Sequence, residues 1–121
     1  MGYVDGFVLA VPKKNLRAYR LMARKTGTIW RKYGALDYKE CIGDDLSTPW
    51  GGVPFPRMVR LKKGETVVFS YIVYKSRAHR DRVNAKVMKD PYMSDPKWKD
   101  RPMPFDTRRV TYGGFKIIVD A

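Results

Sequence analysis

An α+β fold, with one antiparallel sheet covered by two helices, is predicted by three features of the sequence. Four stretches have the two-residue period of strands, two have the three-to-four-residue period of helices, and they alternate as strand, helix, strand, strand, helix, strand. The 121 residues suit a single domain, 1–121, burying roughly two thirds of its unfolded surface. Eight tyrosines, five phenylalanines and three tryptophans supply the bulk of a core that a disordered chain would lack.

The first strand is "YVDGFVLAV", residues 3–11, with Tyr3, Asp5, Phe7, Leu9 and Val11 on one side and Val4, Gly6, Val8 and Ala10 on the other. Pro12 closes it. In the following "KKNLRAYRLMARKTGTIWRKYG", Leu16, Tyr19, Ala23, Thr26, Trp30 and Tyr33 recur at helical spacing, and Gly34 supplies a stop. Lys13, Arg17, Arg20, Arg24 and Arg31 keep the same spacing on the solvent side. "ALDYKECIG", 35–43, is a weaker strand, and "DDLSTPWGGVPFP" reads as an irregular loop because of its prolines and glycines. "RMVRL", 57–61, reads as a short strand and "KKG" as a turn. "ETVVFSYIVY", 65–74, is the strongest strand, apolar on both faces. Ser76 is an N-cap for a second helix through about Lys89, with Val83 and Val87 one turn apart and Asp90-Pro91 ending it. "YMSDPKWKDRPMP" is short structure or loop. "RRVTYGGFKIIVD", 108–120, supplies the last strand, where Gly113-Gly114 permits a bulge or close backbone approach.

This order is that of the ferredoxin-like split βαβ arrangement, whose helices cover one face of an antiparallel sheet. Large apolar side chains are then left on the other face. Two copies joining sheet to sheet would bury them, so the patterning predicts a homodimer forming a dimeric α/β barrel.

"YVDGFVLAVP", "GALDYKECIGDD", "ETVVFSYI", "KVMKDPYM" and "MPFDTRRVTYGGFKIIVD" occur in that order over nearly the whole chain. Together they resemble the bacterial YbaA-like family, domain-of-unknown-function family 1428, placed in the dimeric α/β-barrel superfamily. The resemblance implies a ferredoxin-like protomer, a homodimer with facing sheets and a cytoplasmic location. It implies no reaction, since related branches include haem-using enzymes, small monooxygenases and ligand-binding regulatory domains.

Charge and chemistry narrow the remaining choices. Twenty-five Lys and Arg against twelve Asp and Glu give a net charge of +13, above what the family resemblance leads one to expect. Eight of these cations fall between Lys13 and Lys32 with no acid among them. Arg17, Arg20, Arg24 and Arg31 are therefore candidate phosphate contacts for nucleic acid, against the plainer reading of a solvated face. No apolar stretch approaches the roughly 20 residues that span a bilayer, and "MGYVDGFVLAVPKK" lacks a basic export leader, so a cytoplasmic protein without membrane insertion is expected. A lone Cys41 excludes an internal disulfide framework, and no phosphate-binding glycine loop is present. No metal or cofactor is expected.

His79, the only histidine, suits proton transfer, although beside the apolar face of a helix it reads first as structural. Asp5 interrupts an apolar strand and must reach water, a donor or a pocket; Arg108, Arg109 and Lys116 are its candidate basic partners. Asp106 fits a turn-fixing acceptor or a site group. Tyr71, Tyr112 and Phe115 suit a core, an interface or a pocket wall. Cys41 beside Glu40 is a candidate thiol, with a half-buried structural cysteine as the default. Asp5, Tyr71, His79, Asp106 and Tyr112 are the candidate residues of a small-ligand pocket between sheet and helices, and no catalytic residue is assigned. A nucleic-acid-binding accessory protein and a protein-interaction module are the alternatives.

Overall fold

The computed structural model describes residues 2–121. Its strands are β1 (Tyr3–Pro12), β2 (Asp37–Ile42), β3 (Glu65–Tyr74) and β4 (Thr111–Lys116). The helices are α1 (Leu16–Lys32), the single-turn α2 (Phe55–Met58) and α3 (Arg77–Met88). The sheet runs β2-β3-β1-β4 and is antiparallel throughout, in the ferredoxin-like order. The registers pair Asp5 with Ile72 and Gly114, and Glu40 with Ser70.

Strand alternation sends Tyr3, Asp5, Leu9 and Val11 of β1, with Val68, Ser70, Ile72 and Tyr74 of β3, toward α1 and α3. There they pack in two clusters. Tyr3, Ile72 and Tyr74 meet Ile29, Val83 and Val87, while Leu9, Val11 and Val68 meet Tyr19 and Ala23. Ser76 caps α3 by accepting the His79 N–H at 3.1 Å. Across β4, a side chain at Gly114 would run into the Tyr3 ring, with the nearest ring carbon 2.7 Å from the added atom, so this half of the Gly-Gly pair is what lets Tyr3 lie flat over the strand.

The sheet is open, which overturns the expected dimeric α/β barrel. β2 and β4 are edges separated by two central strands, and four strands do not close on themselves. The expected homodimer rested on apolar residues on both faces of β1 and β3. Part of that patterning is satisfied within the chain, where Leu46, Val59 and Leu61 of the β2–β3 connection cover Val8, Ala10 and Val67. That part of the two-sided patterning is accounted for without a second sheet, while Phe69 and Phe115 on the same face stay exposed.

Two boundaries also differ from expectation. "RMVRL" is not a strand: Pro56 sits in the first turn of α2, where its fixed φ and missing N–H suit a helix start, and Met58 ends that turn. The last strand begins only at Thr111, because Asp106 caps a 3₁₀ turn over Thr107–Arg109. Among the described residues no helix is long and apolar enough to cross a membrane.

Candidate functional site

A cleft of about 400 Å³ lies between α1 and the sheet, with the segment from Met93 to Val110 contributing its remaining wall. Its walls are mostly apolar: Phe7 and Ile72 from the sheet, Ala23 and Trp30 from α1, and Trp98 and Phe105 from the segment before β4. One charged side chain enters this lining, Glu40 of β2. The two-residue period of β2 puts Tyr38 and Glu40 on the helix side, under the α1 stripe that carries Tyr19, Ala23 and Thr26.

The polar end of the cleft is built around that carboxylate. Tyr19 donates its phenol proton to Glu40 Oε1 at 2.7 Å and Tyr38 donates to Oε2 at 2.7 Å, while Thr26 Oγ1 lies 3.0 Å from the Tyr38 hydroxyl. Burial, reinforced by Glu40, holds both phenols far above the ordinary tyrosine value of 10.0, so they remain protonated donors. Gly27 makes the arrangement possible: a side chain there would meet the Tyr38 ring at 2.7 and 2.8 Å. Ser70, paired with Glu40 across the strands and 6% exposed, adds a hydroxyl to the floor. The result is an aromatic cleft with an acidic, hydrogen-bond-accepting end.

Asp5, Tyr71, His79, Asp106 and Tyr112 stand outside this lining. Asp5 is 7% exposed and pairs with Arg80 Nη1 at 2.7 Å, over which the Tyr3 ring stacks at 5.0 Å. Burial raises the Asp5 carboxyl above its ordinary value despite Arg80. Its partner is thus a helix arginine, not Arg108, Arg109 or Lys116. Tyr71 packs beside Phe69 on the sheet face away from α1 and α3. His79 accepts the Lys75 N–H through Nδ1 at 3.0 Å. Asp106 accepts the Arg108 N–H at 3.0 Å, and its carboxyl is held low chiefly by the Arg108 side chain. Tyr112, 74% exposed, stacks on Phe7 with ring centroids 6.0 Å apart and so touches the cleft wall from outside. Arg109 clamps Glu65 at 2.6 and 3.0 Å and the carbonyls of Val59 and Arg60, tying the entrance of β4 to the start of β3.

Arg17, Arg20, Arg24 and Arg31 do converge. All four are exposed and line one open groove of about 1270 Å³ between α1 and the edge strand β2, with Cys41 and Ile42 on its β2 side. Tyr19, Ala23, Tyr38 and Glu40 border both groove and cleft, so the Glu40 cluster is the partition between them. Cys41 is exposed. Among the described residues no three His, Cys, Asp or Glu side chains gather as a metal site.

Sequence reasoning passed over Glu40 except as a neighbour of Cys41. The available signal was the alternation in "DYKECI", which places Tyr38 and Glu40 on one face of a strand next to a helix stripe already carrying Tyr19.

A family model described as "Protein of unknown function (DUF1428)" matches residues 2–107. The chain is 46% identical over 121 residues to "Uncharacterized protein YbaA" of Escherichia coli strain K12, covering 99% of each chain. It matches the protein of the same name in Shigella flexneri to the same extent. Among solved structures it is similar to the de novo designed protein Foldit4, with a TM-score of 0.46 and 10% identity over 97% of this chain and 99% of that one.

Proposed function

This chain belongs to the DUF1428 family, and we propose that it binds a small, largely apolar molecule in the cleft between α1 and the sheet. The observation that carries this reading is a single carboxylate, Glu40, held by two phenols at one end of an otherwise apolar, aromatic cavity. A volume of about 400 Å³ falls in the range of small-ligand pockets, which pair apolar walls with a few placed polar groups. A polar cluster of this kind costs desolvation and is worth little to packing, so orientation of a ligand is the use that fits it.

The three tryptophans make the test internal. Trp30 and Trp98 line the cleft, whereas Trp50 is 99% exposed elsewhere. In isotope-labelled protein titrated with a library of small aromatic fragments, binders should shift the indole N–H signals of Trp30 and Trp98 and leave Trp50 in place. A library that moves only Trp50, or none of the three, would remove the proposal.

A second reading is favoured by a separate observation, the convergence of Arg17, Arg20, Arg24 and Arg31 along one groove. Four exposed guanidiniums on one helix face suit phosphates of a nucleic acid strand. Its test is the salt dependence of binding to RNA and duplex DNA.

A further inference from the structure

We infer that the cleft selects a small hydrophobic primary amine, its ammonium directed at Glu40. This rests on the cleft being a ligand site and adds the chemical class of the ligand. The protons of the lining are almost all spent. Tyr19 and Tyr38 both spend theirs on Glu40. Thr26 spends its one on the Ala23 carbonyl at 3.1 Å or on the Tyr38 oxygen at 3.0 Å. The Trp30 indole N–H goes to Asn84 Oδ1 at 3.1 Å, and that of Trp98 to the Tyr92 carbonyl. Ser70 is the one lining hydroxyl with no side-chain hydrogen bond among the described residues.

Acceptors, by contrast, are in surplus. Each Glu40 oxygen takes one phenol proton and retains capacity for another, and the phenol oxygens have lone pairs of their own. A ligand that brings acceptors finds almost nothing to donate to it. An ammonium brings three donors to a carboxylate.

Charge points the same way. The lining contains Glu40 and no Lys, Arg or His, in a chain where 25 of 121 residues are Lys or Arg. A carboxylate or phosphate at the Glu40 end of the cleft would face that carboxylate with no cation paired to it. The groove arginines lie on the solvent side of the partition, and none is within ion-pair distance of Glu40, so water and salt weaken their reach into the cleft. The walls complete the match, because the faces of Trp30, Phe7 and Phe105 suit both a flat apolar body and a nearby cation, while the Trp98 ring is already stacked by Arg101 at 4.8 Å.

The experiment compares three molecules of similar size and different head group: phenethylamine, phenethyl alcohol and phenylpropionate. Each is titrated calorimetrically at neutral pH, with the indole signals followed in parallel. The amine should bind about tenfold or more tighter than the alcohol, the worth of a charged hydrogen bond over a neutral one, and phenylpropionate should not bind. Glu40→Gln should abolish the amine preference, bringing the amine's affinity down to that of the alcohol or below it. Tyr38→Phe, which keeps the carboxylate, should retain the preference, and an unmoved Trp30 and Trp98 indole pattern in ligand-free Glu40→Gln shows that this variant is folded.

Equal binding of amine and alcohol at Trp30 and Trp98, or tighter phenylpropionate, overturns the amine assignment and leaves the cleft as a ligand site. Silence at Trp30 and Trp98 with these three molecules and with the wider fragment library removes the ligand site and the assignment together.

Discussion

At the scale of single residues, His79 is a histidine whose role is visible in its bonds. Its Nδ1 accepts the Lys75 N–H and its backbone N–H is taken by Ser76, so the ring braces the turn that opens α3. Burial first, then Lys75, Arg82 and Lys86, depress its pKa below the ordinary 6.5. A depressed folded value means that the unfolded chain binds more protons in this range. The associated stability is therefore fully present above pH 6.5 and is lost as pH falls through the lower, folded value. Between pH 6.5 and the ordinary glutamate value of 4.5, His79 is the only histidine available to titrate. The raised Asp5 contributes with the opposite sign, but it is common to wild type and variant. The urea midpoint of the wild type should thus fall across this window more steeply than that of His79→Gln. Parallel curves would show that His79 titrates alike in the folded and the unfolded chain, so that its protonation costs the fold nothing.

At the scale of elements, α1 carries an apparent defect that the cleft explains. Gly27 stands in the helix interior, where glycine costs about 1 kcal/mol relative to alanine, yet an added methyl would sit 2.7 Å from the Tyr38 ring. The ring cannot swing aside freely, because its hydroxyl is held by Glu40 and Thr26. Gly27→Ala should therefore lower stability, by about 1–3 kcal/mol as overpacking does, although helix propensity alone predicts a gain. Denaturant unfolding gives the sign, and a shifted Tyr38 ring signal identifies the cause; a stabilised variant with an unmoved ring would refute it. The same contact shows what the sequence could and could not reveal. Strands and helices were legible because each obeys a local period, as in "ETVVFSYIVY" or the Tyr19-Ala23-Thr26-Trp30 stripe. The Glu40 cluster was not, because it depends on two elements meeting: Tyr19 and Glu40 are 21 residues apart, and neither has a local pattern that names the other. Asp5 was legible as a residue in need of a partner, while Arg80, 75 residues away, was not. The four arginines were legible as a helix face, but the groove they line needed the position of β2.

At the scale of the whole molecule, the question is whether a net charge of +13 acts as a diffuse field or through the groove. A diffuse field attracts polyanions wherever the surface is positive, so any charge reversal of equal size should weaken binding equally. A groove that seats phosphates makes position matter. If all four arginines contact duplex phosphates, the logarithm of affinity should fall against the logarithm of salt with a slope of roughly −3 to −4, since each contact releases about 0.9 counterion. Arg24→Glu should reduce that slope by about one and weaken binding to all sequences alike. Arg82→Glu changes the net charge by the same amount on α3, outside the groove lining. The two variants separate the readings in one titration with labelled RNA and duplex DNA. A larger loss for Arg24→Glu than for Arg82→Glu assigns the interaction to the groove. Equal losses assign it to the field alone, and binding erased by physiological salt in the wild type would leave the arginines as a solvated helix face.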